Sequence, residues 1–308
     1  MEKRVYGLIG IKSVMANWNA DFEGLPKTIS DGQTFGSDKA LKYPIKKMWE
    51  NEGEKILYIK SFKQDEKDKK LRPRSLKERY ELIFEVDDLS KQKESNLVLE
   101  NLFKATDVKN FGSTFAEAGN NFSITGAVQI TQGFNKYEDT QPEEQQILSP
   151  FRDGTKDSAD QSTLGTKIVS NEAHYVYHFA INPNAYDDYV KLGVTDGYTE
   201  QDYTKFKNAA LISATSFNTN SKVGCENEFA VFIETEKNAY LPDLAQYVTF
   251  EKVEDGKNIF TFNFDKIIGD LKDKIKAVEI YYNPYTTEIK ADIKKAKYFN
   301  IFTQDEVK

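Results

Sequence analysis

The sequence predicts an α+β fold in which a strand, helix, strand, strand, helix, strand series is interrupted by long insertions. Three observations predict it. Strand-type apolar runs at Val5–Met15, Phe122–Thr131, Ala173–Ile181 and Glu228–Thr235 are interleaved with segments of helical period at Asp38–Glu52 and Thr199–Phe217. Their order is the split βαβ, or ferredoxin-like, order βαββαβ found in RNA-recognition folds. Polar stretches at 55–120 and 133–172 are far longer than the short loops that join neighbouring elements in a simple fold.

Val5–Met15 (VYGLIGIKSVM) is β-rich and largely apolar, which suits a central strand buried on both faces. Residues 16–37 contain three Gly, one Pro and several Asn, Asp and Ser, and therefore read as a loop, of a length that suits function. Over Asp38–Glu52, Leu41, Ile45, Met48 and Trp49 share one helical sector, with Gly53 as a stop. Lys39, Lys42 and Lys46 fall on the opposite side. Beyond it the pattern weakens into an insertion: a short strand at 55–60 (KILYIK), a charged segment Lys63–Arg79, and helical pieces around 75–86 and 95–104.

Phe122–Thr131 and Ala173–Ile181 read as two further strands, and the arm between them is too long for a hairpin loop. Lys136, Arg152, Lys156 and Lys167 face eight acids over 133–172, a net charge of -4, so a protruding, solvated arm is expected. Thr199–Phe217 opens with a capping Thr and acids in its first turn, and carries Tyr203, Phe206, Ala210 and Leu211 at helical spacing. After the polar turn NTNSKVG, Glu228–Thr235 alternates as a strand. The remainder adds a hairpin over Tyr247–Phe264 around Asp255-Gly256, a helix near 265–274, and strands near Val278–Tyr282 and Lys297–Phe302. No internal repeat is present.

Composition limits the function. With 39% hydrophobic and 13% aromatic residues, the 308-residue chain can bury a sizeable core. Mean hydropathy is -0.63, and the apolar stretch Val5–Ile11 ends at Lys12, so neither a membrane span nor a secretory signal is expected. A single cysteine, Cys225, makes no internal disulfide or cysteine zinc site, and the cytoplasm is the expected address. The net charge of -7 argues against a generally basic nucleic-acid protein, so any such function must rest on local charge.

Signatures of catalysis are sparse. His174 and His178 lie on one face of a strand, too few for a zinc site, and read as structural or surface histidines. No GxGxxG follows the first strand, and no phosphate loop, HExxH or GxSxG occurs, which disfavours nucleotide and serine hydrolysis and leaves no cofactor implied. Asp21, Glu23, Asp31 and Asp38 lie in or beside the first loop, where acids can hold magnesium, but their spacing matches no known metal loop.

The lysine face of the first helix is a stronger signal. Lys39, Lys42 and Lys46 project in a band about 60° wide with Lys47 beside it, a pattern that can track phosphates or serve as a solvated face. Pro44 either kinks this helix or marks its true first turn, in which case Lys39 leaves the band. Lys63–Arg79 has eight bases against four acids, compatible with a solvated linker. Neither central strand carries the aromatic RNP pattern, so RNA binding would fall to loops and helix ends.

The motif order resembles the CRISPR-associated Cas7 family, the backbone subunit of the type I effector complex Cascade, and most closely its subtype I-B branch. The resemblance rests on NWNADFEGLPKT (17–28), GSDKALKYPIKKMWE (36–50), TDVKNFGSTFA (106–116), FSITGAVQITQG (122–133), HYVYHFAINP (174–183) and FNTNSKVG (217–224). It implies a modified RNA-recognition-motif palm (1–54, 121–132 and 173–308, with C-terminal additions), a finger-like insertion (55–120) and a thumb (133–172). It also implies a non-enzymatic subunit that polymerises along a CRISPR RNA and presents the spacer to target DNA, with other copies of itself and with Cas5-type and large Cascade subunits.

Carried over by position, the RNA contacts would be Asn17, Asn19, Ser37, Lys42, Lys46, Gln129, Thr131, Thr219, Ser221 and Lys222, with Lys109 added. Two positions depart from the family pattern: Lys42-Tyr43-Pro44 where relatives often have a basic pair, and Lys109 where Arg is common. Two other readings stand beside this one. One is a metal-dependent endoribonuclease of the type III backbone kind, with Asp21 or Asp31 at its centre; the other is a structural or carbohydrate-binding protein sharing the element order.

Overall fold

In a computed structural model, which describes the backbone over residues 1–152 and 162–307 and side chains over 1–148 and 165–307, β1 (Arg4–Ala16) leads through the first loop to β2 (Phe35–Gly36) and α1 (Asp38–Asn51). The segment 55–120 holds β3 (Phe62–Gln64), β4 (Leu71–Pro73), α2 (Leu76–Phe84), α3 (Ser95–Lys104), α4 (Thr106–Phe111) and most of the hairpin of β5 (Gly112–Glu117) and β6 (Asn120–Thr125). β7 (Val128–Ile130) and β8 (Gly133–Asn135) precede β9 (Pro142–Arg152) and β10 (Ser162–Ile181). Next come α5 (Asp187–Lys191), α6 (Glu200–Ile212), β11 (Cys225–Thr235), β12 (Val248–Glu251), β13 (Asn258–Phe262), α7 (Asp265–Asp270), β14 (Ile275–Tyr282), β15 (Thr287–Lys290) and β16 (Lys297–Asn300).

β1 is central, antiparallel to β10 on one side (Val5 opposite Ile181) and to β11 on the other (Arg4 opposite Thr235). The main sheet runs β16-β14-β11-β1-β10-β8-β2, with β7 and β9 also paired to β10. The four strands of the expected series therefore lie in the order fourth, first, third, second. Side-chain alternation divides the core. Val5, Ile9 and Ile11 of β1 and Ala173, Tyr175, Tyr177 and Phe179 of β10 pack toward α1, α6 and the 55–120 segment. Tyr6, Leu8 and Val176 face the opposite way, toward the sheet β12-β13-β15 and α7. β1 is thus buried on both faces, as its apolar run predicts.

α1 starts at Ser37, whose side chain accepts the Ala40 N–H, and runs unbroken through the buried Pro44, so Lys39 stays on the helix. α6 begins with a reciprocal capping box between Thr199 and Asp202. None of the described helices is long and apolar enough to cross a membrane.

Three expectations are corrected. Residues 55–60 form no strand, because the Asp107 carboxylate takes the N–H groups of Leu57 and Tyr58, both at 2.8 Å, in place of a ladder partner. The run 122–131 is not one strand: β6 pairs with β5 and β7 with β10, and the break falls at Gly126, where an added Cβ would lie 2.2 Å from the Phe111 backbone. The arm is a long β-ribbon, with β9 antiparallel to an extension of β10 (Ser170 opposite Pro142, Leu164 opposite Leu148). Exposed Glu143, Glu144, Gln145 and Gln146 occupy both parities of β9, which removes the period-two signal of a half-buried strand. Several bases of the segment Lys63–Arg79 are ion-paired as well, Arg72 and Lys63 with Glu78 inside it, Lys77 with Asp88 and Arg79 with Glu50 outside it.

Candidate nucleic-acid interface

Where β1 ends, the turn after α6 is pinned against it. Val14 N–H donates to the Gly224 carbonyl and Asn17 N–H to that of Ser221, both at 2.9 Å. Gly224 sits at φ 103°, and a Cβ there would lie 2.4 Å from the Val14 oxygen, so only glycine lets the two segments meet. From this turn Lys222 Nζ reaches the Asn17 carbonyl at 2.6 Å and that of Trp18, with its ammonium 5.4 Å from the Trp18 ring centroid.

The neighbouring side chains interlock. Asn17 Nδ2 donates to the carbonyls of Gly24 (2.8 Å) and Ile168 (3.3 Å), tying the first loop to the arm, while its buried Oδ1 has no partner among the described residues. Asn19 Nδ2 donates to Phe35, and its Oδ1 accepts from Ser37 Oγ at 3.1 Å as that same Ser37 caps α1. Beneath them Trp18 Nε1 donates to the Tyr177 hydroxyl at 2.6 Å. Gly36 admits that hydroxyl, which would stand 1.8 Å from a Cβ.

Asn17, Asn19, Ser37, Ser221 and Lys222 are therefore one cluster, at the end of the sheet from which the arm departs. Thr219 joins it through its carbonyl, which accepts the N–H groups of Lys222 and Val223. Gly36 opposite Gly133 sets Ser37 beside the segment that holds Thr131, whose hydroxyl exchanges bonds with the His178 backbone. Gln129 is exposed on β7, its Nε2 on the Gly126 carbonyl.

The helix lysines are engaged elsewhere. Lys42 pairs with Asp38 at 2.8 Å. Lys46 donates to the Tyr58 carbonyl at 2.8 Å, and burial pushes its ammonium pKa down against the pull of Asp107. The expected lysine band is thus partly covered by the 55–120 segment. Lys109 lies between Asp196 (2.7 Å) and Asp202 (3.2 Å), in a separate groove of about 490 Å³ lined also by Glu54 and Lys205. Lys222 differs from Lys42 and Lys109: among the described residues it has no carboxylate partner within ion-pair range, and burial pushes its pKa down. Its charge is held by carbonyl dipoles and an indole face. Two of its three N–H groups are taken by the Asn17 and Trp18 carbonyls, which leaves one for a phosphate or ribose oxygen.

The acids of the first loop shape turns. Asp21 Oδ1 accepts from Glu23 and Leu25 N–H and Asp31 Oδ1 from Gln33 N–H, all at 2.9 Å, at the rim of a groove of about 760 Å³ shared with Asn135 and Tyr137. Among the described residues no three His, Cys, Asp or Glu side chains gather to hold a metal. Both histidines are buried; His178 Nδ1 accepts the Leu244 N–H at 3.4 Å, and burial pushes its pKa down.

Sequence reasoning missed Trp18 and Tyr177, which hold the cluster's floor, and Glu172 and Glu228, which bracket His174. Trp18, set between Asn17 and Asn19, was the available signal: a large aromatic in an otherwise polar loop has to be buried against something.

Fold and site together define a class, an α+β protein whose central antiparallel sheet sends out a ribbon arm and carries a polar, cationic cluster at the arm's root. Residues 3–268 match the family described as CRISPR-associated protein Cas7, and the chain belongs to that family. Its fold is similar, with a TM-score of 0.54 and 12% identity over 96% of each chain, to a chain of the solved structure "CRISPR RNA-guided surveillance complex, pre-nicking". A chain of a second, "CRISPR RNA-guided surveillance complex", aligns with a TM-score of 0.46 and 12% identity over 92% of this chain and 94% of the other. No curated protein matches.

Proposed function

We propose that this Cas7-family chain is a non-enzymatic CRISPR RNA-binding backbone subunit of a type I-B Cascade complex in the cytoplasm. It polymerises along the guide RNA and presents the spacer for pairing with target DNA. The main sheet, with its strand order fourth, first, third, second, acts as a modified RNA-recognition palm, 55–120 as the finger-like insertion and 133–172 as the thumb. Copies of the same chain and Cas5-type and large Cascade subunits are its partners.

The observation that carries the reading is Lys222, a half-buried cation without a carboxylate partner among the described residues, set beside Asn17, Asn19 and Ser37 in a Cas7-family chain. An acidic total does not oppose it, since a filament subunit needs one cationic groove and tolerates acidity elsewhere. Small-RNA sequencing of the purified protein tests it, after the absorbance ratio has established whether nucleic acid co-purifies. Repeat-derived fragments of uniform length are expected; random fragments or none, from protein expressed beside its CRISPR array, would overturn the proposal.

A further inference from the structure

The arm is joined to the rest of the molecule by a buried ionic arrangement on the far side of the sheet from α1. His174 on β10 is fully buried, with Nδ1 2.6 Å from Glu228 Oε2 on β11 and Nε2 3.0 Å from Glu172 Oε1 on β10, where the arm begins. Carboxylate oxygens only accept hydrogen bonds, so both ring nitrogens must donate, and an imidazole with two N–H groups is an imidazolium. Charge balance agrees: Lys252, after β12, donates to both oxygens of Glu172 at 2.7 Å, so two cations meet two anions.

The arrangement reaches every strand of the C-terminal three-stranded sheet. Phe250 of β12 stacks on the imidazole at 4.1 Å and Phe260 of β13 meets it edge-on at 5.8 Å. Thr287 of β15 donates to Glu228 Oε1 at 3.1 Å, and Asn258 of β13 lies 3.5 Å from Glu172. Two further cations lie nearby. Lys12, opposite His174 on β1, pairs with Glu226 at 3.4 Å; Lys136, whose N–H bonds the His174 carbonyl, has Asp243 as its opposite charge; Tyr137 meets the ring edge-on.

We infer that His174, as a buried imidazolium, locks the root of the arm to the C-terminal sheet and makes the arm's attachment dependent on a proton. A neutral ring leaves one nitrogen lone pair facing a carboxylate. Glu228 is 1% exposed and cannot turn away, whereas Glu172 is 17% exposed and can swing outward with Lys252. Opening therefore occurs on the arm side. The two carboxylates raise the imidazole's pKa above its usual 6.5 against the cost of burial. The stabilisation is fully present below the unfolded value and is lost as pH rises through the folded one. This inference stands whether or not the arm meets RNA.

Nitrogen-15 NMR of the full chain, labelled at its two histidines, tests it over pH 5.5–9.5. One ring is expected to carry two N–H protons at neutral pH while the other, His178, is already neutral. Hydrogen exchange is read in parallel. As the first ring deprotonates, protection at 165–172 should fall roughly tenfold relative to β11, after correction for the base-catalysed rise common to all amides. In His174→Gln that pH dependence should disappear; should this variant not fold, Glu172→Gln should move the imidazole's titration to lower pH. A neutral His174 at pH 6, with Glu228 as the acid, or an arm root whose protection ignores the titration, would overturn the inference.

Discussion

Lys222 Nζ stands 2.6 Å from the carbonyl oxygen of Asn17, and the Asn17 N–H in turn bonds the Ser221 carbonyl beside Lys222, so the chain just past the end of β1 and the turn after α6 hold each other. The ammonium satisfies two carbonyls while keeping its charge unpaired by any carboxylate among the described residues. Lys222→Met should therefore weaken RNA binding uniformly across sequences and reduce the salt slope by about one. It should also cost about 1–3 kcal/mol of stability, since the Asn17 and Trp18 carbonyls lose their donor. Filter binding over a salt series and urea unfolding read the two effects; an unchanged salt slope would remove Lys222 from the phosphate contacts.

The helix lysines separate into two behaviours. Lys42 is half-buried, its ammonium on Asp38 and 5.2 Å from the Phe111 ring centroid, so Lys42→Glu should weaken RNA binding and, with two acids then four residues apart, cost about 1 kcal/mol of stability. Lys46 is half-buried with its Nζ on the Tyr58 carbonyl, and Lys46→Glu would press a carboxylate onto that carbonyl, with the larger loss, about 3 kcal/mol. Denaturation midpoints of the two single variants distinguish them, and equal midpoints would contradict the assignment.

Why these lysines could not be sorted from the sequence is instructive. Helical period correctly gave α1 and its apolar face, because Leu41, Ile45 and Trp49 report packing that the helix imposes on its own residues. The partner of Lys46 comes from the segment around 58, which a period cannot locate. Strands buried by their own pattern, such as β1 and β11, were legible. The segment 55–60 was not, because its N–H groups are answered by a side chain fifty residues on, Asp107. In the site, loop residues were legible through their family motifs, while Tyr177, Glu172 and Glu228 sit in or beside strands whose composition reads equally well as core.

The acid limb of stability follows from Glu172. His174 first, and then Lys252, hold its carboxyl down to about 2. A carboxylate depressed in the folded state contributes stability that is present above its unfolded pKa and lost as pH falls toward the folded value. Wild-type melting temperature should thus fall between about pH 4.5 and 2, with a shallower fall in Glu172→Gln, since that part of the titration is removed. Parallel melting curves over that range for the two proteins would exclude Glu172 as a contributor.

Cleavage tests the rival enzymatic reading. Asp21 and Asp31 spend an oxygen on loop N–H groups, an arrangement of turns. Purified protein with magnesium or manganese should leave guide and complementary RNA intact. Metal-dependent cuts at regular spacing, abolished by Asp21→Asn or Asp31→Asn, would favour an endoribonuclease; the amide keeps the turn's acceptor, so loss of cutting could not be blamed on the loop.

The arm offers the sharpest test of assembly. Its β9 side chains Ile147 and Leu148 are 46% and 69% exposed, and Phe134 at its base is 37% exposed. Phe151 and Leu164, apolar in the sequence, lie outside the described side chains. A two-stranded ribbon adds little to the core, so its apolar residues are material for packing between bases or on a neighbouring copy. Replacing residues 136–168 with a short Gly/Ser linker removes β9 and the Ile168 carbonyl that receives Asn17, but keeps Ser170–Ile181 paired with β1. Lost with it are the bonds of Thr140 to the Glu172 carbonyl and of Gln141 to Asn171 and the Tyr137 ring against His174 and Phe250, each worth about 1 kcal/mol against a domain stability of about 5–15 kcal/mol. The shortened protein should fold and bind RNA weakly, yet fail to assemble in regular register along it. Electron microscopy with nuclease footprinting decides: evenly spaced protected repeats from the shortened chain would show that the arm does not set the register.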